Sequence, residues 1–157
     1  MRQRENLCFL KILFISTLKE IPSQSFLIFL PFGVPLDGAW WSTVEHYFQA
    51  QKFEDQNYRE KIRRSQRPKD AKALDMARHL SLRSDWGLIK DGVMRRAVQC
   101  KFSTHKSLSD LLLSTGERLI VENVPMDAYW GCGHDGNGLN KLGQILMSVR
   151  TEIREHI

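Results

Sequence analysis

The sequence predicts a mainly α-helical single domain with a small β-hairpin, and three observations support that class. Several segments repeat apolar residues at spacings of three and four, the period of a helix with one buried face. Strand-like runs are short and few. The chain has 157 residues, 42% of them hydrophobic and 26% charged, which suits one folded domain and excludes collagenous, mucin-like and disordered chains.

Taken in order, residues 8–18 form an apolar run interrupted by Lys11. Arg2 and Arg4 before it imitate a signal peptide, but no small-x-small cleavage site follows. The run is too short and too charged to span a bilayer. Ile12 and Phe14 suit an opening β-strand. Residues 26–30 read as a short buried strand or turn stopped by Pro31. Pro35 to Trp41 reads as a hairpin, because Asp37-Gly38 accepts the positive φ angles of a two-residue turn. Ser42 or Thr43 then caps a helix running to about Phe53. A short helix follows Asn57 and carries Tyr58 and Ile62. Pro68 suits the first turn of another helix, Lys69 to about His79. Ser84 caps a longer helix over 85–102, with Trp86, Ile89, Val93, Ala97 and Cys100 on its buried stripe. Ser107-x-x-Asp110 opens a helix over 108–114 that Gly116 stops. Residues 118–122 are expected as a short strand. A glycine-rich loop, 131–138, leads into a last helix whose core stripe is Leu142, Ile145, Leu146, Val149 and Ile153.

Charge is uneven along the chain. The net charge is +5, yet residues 59–106 hold 14 Lys and Arg against 5 Asp and Glu. That stretch is either a solvated helical face or a field that draws in a phosphate-bearing ligand. Few aromatic residues interleave the charges, so a stacking surface for single-stranded nucleic acid is not expected. The three cysteines, Cys8, Cys100 and Cys132, are odd in number and far apart. They make no disulfide framework and no zinc pair, which points to a reducing, cytoplasmic setting.

Two polar clusters are the candidate sites. In the first, Glu45, Gln49 and Lys52 recur at i, i+4 and i+7 and share a helix face, with His46 beside them. A carboxylate, an amide and an ammonium converging there suit a polar ligand and a proton transfer. Ser42-x-x-Glu45 equally matches a capping box, with Glu45 folded back onto the Ser42 N–H. The second cluster runs from Asp127 through Trp130 and the glycines at 131, 133, 136 and 138 to Asn140. Backbone N–H groups next to a helix N-terminus would make an anion site, and Trp130 offers a flat face to a heterocyclic base. The alternative is a long turn capped by Asn137 or Asn140. Neither a dinucleotide fingerprint nor a Walker loop is present. Cys132 and His134 lack a second pair for a metal.

At these two clusters the chain resembles the YbiA-like, or NADAR, family of N-glycosidases. The resemblance rests on the stretch from Leu36 to Phe53 containing Glu45-His46-Tyr47-Phe48-Gln49-Ala50, and on Tyr58 to Ile62. It continues through Leu82 to Trp86, Val93 to Ala97, Lys101-Phe102, Asp127 to Gly131 and Asn140 to Gly143. It covers roughly residues 36 to 150 and leaves 1–30 as an atypical leading segment. The family implies a mainly helical fold and hydrolysis of a ribosyl N-glycosidic bond without metal or organic cofactor. Implied substrates are phosphorylated ribosylamino-pyrimidine intermediates of the riboflavin pathway and, in some branches, ADP-ribosyl adducts of guanine. Nucleic acid enters only as such an adduct, and no membrane is implied. Carried over, Glu45, Asp127 and Trp130 are the catalytic candidates. His46, Gln49, Lys52, Gly131 and Asn140 are substrate-binding candidates, and Asp135 is a lesser one. Two places depart from the family pattern. Phe26-Leu27-Ile28-Phe29 stands where Phe-Ser-Asn-Phe is common, and Asp75-Met76 stands where Gly-Arg is common. Both changes favour a second reading, a non-catalytic module that binds ADP-ribose or a nucleotide.

Overall fold

A computed structural model describes residue 28 and residues 30–76 and 80–156. The expected strand over 8–18 lies outside these residues, as does most of the apolar run 26–30. Among the described residues the fold is mainly helical, with six helices and one two-stranded antiparallel sheet. They fall into two compact units, Ile28–Lys106 and, from Ser107, the rest of the chain.

The first unit opens with the hairpin. Strands β1 (Val34–Leu36) and β2 (Ala39–Trp41) pair antiparallel, with Val34 opposite Trp41 and Leu36 opposite Ala39. Asp37 and Gly38 take φ angles of 52° and 72°, the two positive values that a tight hairpin turn demands. The Trp41 indole N–H donates to the Leu36 carbonyl at 3.0 Å, and the ring meets Tyr47 edge-on at 5.2 Å.

Four helices follow: α1 (Val44–Ala50), α2 (Gln56–Arg63), α3 (Pro68–Met76) and α4 (Trp86–Thr104). All seven residues of α1 are buried. It packs against α2, α3, α4 and β2, while α4 also covers β1. Val44, Tyr47, Phe48 and Ala50 of α1 join Phe53, Ile62, Ala71, Met94, Ala97, Val98 and Phe102 in the core. Each large apolar side chain buried there contributes about 1.5–3 kcal/mol of transfer free energy. A helix so enclosed holds its side chains in single rotamers, which is what a site built on it needs.

Several local expectations change. Helix α1 ends at Ala50 rather than near Phe53. The buried stripe of α4 is Met94, Ala97, Val98, Lys101 and Phe102, so Trp86, Ile89, Val93 and Cys100 lie beside it, half-buried. Lys101 enters the stripe because its Nζ donates to the Leu30 carbonyl at 3.1 Å and lies over the Phe32 ring. Burial pulls its pKa down to about 7.

The second unit contains most of α5 (Lys106–Ser114), a long irregular segment and α6 (Lys141–Glu155). Leu142, Leu146 and Val149 of α6 are buried, with Ile145 and Ile153 at the margin. Arg150 ties α6 to the chain after α5: its Nη1 donates to Thr115 Oγ1 at 2.7 Å and to the Arg118 carbonyl at 2.8 Å. The strand expected over 118–122 does not form. Its polar groups go instead to Asn140, whose Oδ1 accepts from Glu122 N at 2.9 Å and whose Nδ2 donates to the Ile120 carbonyl at 2.9 Å. This clamp needs close approach, and a Cβ on Gly143 would collide with the Ile120 oxygen and the Asn140 amide.

Candidate active site

In the first unit the site is built on one face of α1. Thr43 is the residue before the helix, and its Oγ1 accepts from His46 N at 3.3 Å. Glu45 therefore sits one position earlier in the helix than a capping box requires, and it makes no bond to Ser42. The capping-box reading is thus overturned. Glu45 is 3% exposed, and its Oε1 accepts from Gln49 Nε2 at 2.7 Å. Gln49 is itself buried, and its Oε1 has no hydrogen-bond partner among the described residues.

Two residues past the end of α1, Lys52 Nζ pairs with Asp75 Oδ2 at 2.7 Å, bringing α3 to the same face. The ammonium lies 5.7 Å from the Phe48 ring centre and 6.0 Å from that of Trp86, and the two rings are 5.0 Å apart. Burial pushes the Glu45 carboxyl above its usual range. The Gln49 amide, Lys72 and Lys52 oppose that rise, and Asp75 adds to it. The result is a buried carboxyl with two ammonium groups and one carboxylate in its field, one of the ammonium groups lying over two aromatic rings. Such a carboxyl is set to exchange a proton or to face a developing cation.

Lys72 and Asp75 lie outside the expected site residues, as do the rings of Phe48 and Trp86. The signal for the first two is their i, i+3 spacing on α3, which gives them one face. Nothing in the local sequence couples that face to Glu45, some 30 positions earlier.

His46 is fully buried and both its ring nitrogens are engaged. Nε2 faces the Ser65 carbonyl at 3.0 Å, so it carries the proton, and Nδ1 accepts from Thr43 Oγ1 at 2.8 Å. Burial lowers its pKa and keeps the ring neutral. The ring thus fixes the start of α1 to the chain between α2 and α3.

In the second unit the Asp127–Asn140 segment is a self-contained turn. Asp127 Oδ1 accepts from the N–H groups of Tyr129 at 2.9 Å and Trp130 at 2.8 Å. The carbonyls of Tyr129 and Trp130 then accept from Lys141 N and Leu142 N, both at 3.1 Å. These are the first amides of α6, so the helix N-terminus is spent within the protein. Three of the loop amides are spent as well: Cys132 N on the Glu122 carbonyl, Gly133 N on that of Asp127 and Gly138 N on that of Cys132. These three are committed to the turn itself.

Gly131 is buried, and its carbonyl accepts from Asn140 N at 3.0 Å. Asn140, in the left-handed region at φ 53°, precedes α6 without a side-chain cap bond and instead clamps residues 120 and 122. Asp135 bonds to the N–H and side-chain amide of Asn137, which hold its pKa down. Trp130 is half-buried and meets Tyr129 edge-on at 5.2 Å. The turn therefore presents an aspartate and an indole from a rigid frame. Among the described residues no three His, Cys, Asp or Glu side chains converge as a metal site, and no helix is long and apolar enough to cross a membrane.

One consequence follows for the α1–α3 face. Replacing Asp75 by asparagine removes a negative charge that raises the Glu45 pKa and releases Lys52 to lower it further. Both effects have the same sign. The Glu45 carboxyl is expected to titrate at lower pH in the Asp75→Asn variant, read by carboxyl 13C NMR. An unmoved titration would separate Asp75 from the Glu45 carboxyl.

Comparison with known proteins is consistent across sequence and structure. A family model described as NADAR domain matches residues 4–154. An N-glycosidase of Nostoc punctiforme is 46% identical over 136 residues, covering 85% of this chain and 87% of that protein. N-glycosidase YbiA of Escherichia coli is 45% identical over 125 residues, covering 80% of this chain and 78% of that one. A riboflavin biosynthesis protein of Vibrio vulnificus is 41% identical over 82% of this chain, which spans 35% of that longer protein. The solved structure of E. coli YbiA superposes with a TM-score of 0.74 at 44% identity, covering 80% of this chain and 75% of that one.

Proposed function

The chain belongs to the NADAR domain family, and on that premise we propose that its N-glycosidase chemistry cleaves the ribosyl C–N bond of a phosphorylated ribosylamino-pyrimidine from the riboflavin pathway, or of a related nucleotide or ADP-ribose adduct. The chain is a hydrolase of N-glycosyl bonds, as its similarity to N-glycosidases at 45–46% identity supports. The observation that carries the finer reading is the buried Glu45 carboxyl, set on a fully buried helix beside Lys52 and the Phe48–Trp86 ring pair. The similarity to a riboflavin biosynthesis protein supports the pyrimidine substrate.

The chemistry follows from the bond. Cleaving it develops positive charge on the anomeric carbon and negative charge on the departing nitrogen. Glu45 as an anion stabilises the cation or takes a proton from the attacking water; as an acid it protonates the leaving base. The buried Gln49 Oε1 accepts a ribose hydroxyl, while Lys52 meets the 5′-phosphate. In the second unit, taken by itself, Asp127 offers a carboxylate and Trp130 a flat face that suits a heterocyclic base. His46, Gly131 and Asn140 act as positioning residues, since their polar groups hold the chain segments that carry these side chains. No cofactor takes part in this scheme.

The Lys52–Asp75 pair favours a second reading. Asp75 occupies the ammonium that a phosphate would need, so a pocket that binds ADP-ribose or a nucleotide without turnover is the alternative. Mass spectrometry of the purified protein with a panel of ribosylated pyrimidines and ADP-ribosylated guanosine separates the two. Free base with ribose 5-phosphate from a ribosylated pyrimidine 5′-phosphate, or guanosine with ADP-ribose from the adduct, is the expected result. Saturable binding with no released sugar from any member of the panel would establish the module instead.

A further inference from the structure

The first unit holds a polar cavity of about 410 Å³ whose lining includes neither Glu45 nor Lys52. Its walls include Asp37 and Trp41 of the hairpin, Gln51 just after α1, and Arg59, Glu60 and Arg63 of α2. Helical geometry sets Gln51 roughly 120° around α1 from Glu45. The Glu45 face meets α3, whereas Gln51 meets α2 through Arg59, so the two sites share no residue.

Two carboxylates and two guanidiniums line the cavity, and Arg64 and Arg96 from outside the lining also pair with the carboxylates. Glu60 is taken by Arg63 at 2.6 Å and Arg64 at 2.5 Å. Asp37 is taken by Arg96 at 2.8 Å and by the Tyr47 hydroxyl at 3.0 Å. Arg59 is left with a neutral partner, since its Nη2 donates to Gln51 Oε1 at 2.8 Å and no carboxylate pairs with it among the described residues. Gln51 is 6% exposed, and its Nε2 is buried with no hydrogen-bond partner among the described residues. A guanidinium and an amide N–H₂ are thus held side by side by their mutual bond, and both still have donors to give. Buried donors are normally satisfied. The volume falls in the range of small-molecule pockets, and Trp41 and Ala39 add apolar wall.

We infer that this cavity is a second ligand site, for a small molecule whose oxyanion, a carboxylate or a phosphate monoester, is bound between Arg59 and Gln51 with its apolar body against Trp41. The anion accepts from the guanidinium and from Gln51 Nε2 together, an arrangement that suits two oxygens on one centre. Neither carboxylate of the cavity opposes it, because each is already neutralised. The site does not depend on the reaction assigned to Glu45.

The test is NMR of the Gln51 side-chain amide during titration with sodium phosphate or sodium succinate, against sodium chloride at equal ionic strength. A saturable shift with phosphate, with succinate or with both, and none with chloride, is expected. Which salt acts identifies the oxyanion. Gln51→Glu keeps the Oε1 that Arg59 needs and replaces the donor with a negative charge. It is expected to stay folded and to bind about tenfold more weakly or not at all, read by calorimetry with the same salt. Arg59→Gln is expected to weaken binding similarly. Lys69→Ala, at an exposed position that does not line the cavity, is expected to leave it unchanged. Absence of a saturable shift with both salts would overturn the site. So would full-strength binding in Gln51→Glu, or binding lost equally in Lys69→Ala.

Discussion

Exchanging Glu45 for glutamine is expected to remove N-glycosidase turnover and leave the melting midpoint at or slightly above that of the parent protein. The structural side is settled by the start of α1. Thr43, not Ser42, caps the helix, and Glu45 bonds to Gln49 rather than to a backbone N–H. Glutamine keeps an Oε1 to accept from Gln49 Nε2 and has the same shape. It also removes a carboxyl whose charged form is costly in a site 3% exposed. Losing a true cap would cost about 0.5–2 kcal/mol, and no such loss is expected here. The chemical side differs, because glutamine neither exchanges a proton nor offsets positive charge at the anomeric carbon. A general acid or base contributes about 10²–10⁴-fold, so kcat is expected to fall by that order. A Gln variant that turns over at close to the parent rate would move the reaction away from Glu45.

The reading of Glu45 shows where local sequence stops informing. Ser42 and Thr43 are adjacent hydroxyl residues, each a competent cap. A shift of one position turns Glu45 from a capping-box member into a buried carboxyl, and only tertiary packing of α1 chooses between them. The hairpin was legible because its signal, Asp37-Gly38, acts within two residues. The core of α6 was legible at Leu142, Leu146 and Val149 because apolar periodicity reports the buried face directly. Lys101 in the α4 stripe was not, since lysine reads as solvent-facing. Its burial depends on a carbonyl at Leu30, about 70 residues away. The same distance effect hides Asp75, whose partner Lys52 lies just past the end of α1, 23 residues earlier. At Asp127–Asn140 the glycines pointed correctly to tight backbone. The destination of the amides depends on the path of the chain, which returns the carbonyls of Tyr129 and Trp130 to the start of α6.

The paired variants Asp127→Asn and Asp127→Ala are expected to separate framework from chemistry in the second unit. Asp127 Oδ1 receives two backbone N–H groups, from Tyr129 and Trp130. An asparagine carbonyl accepts both bonds, so the turn that carries Trp130 survives and stability changes little. Alanine leaves both donors without that acceptor, and a loss of about 0.5–2 kcal/mol, the scale of a lost cap, is expected in the denaturant midpoint. If Asp127 is the second carboxylate of the reaction, Asn already removes its charge, and kcat falls by about 10²–10⁴-fold in both variants. If Asp127 only fastens the turn, Asn retains nearly full activity and Ala alone loses it, by misplacing Trp130. The assigned role predicts the first pattern: two equally inactive proteins, only one of them destabilised. Full activity in Asp127→Asn would leave Glu45 as the sole reacting carboxylate and make Asp127 a positioning residue for the indole.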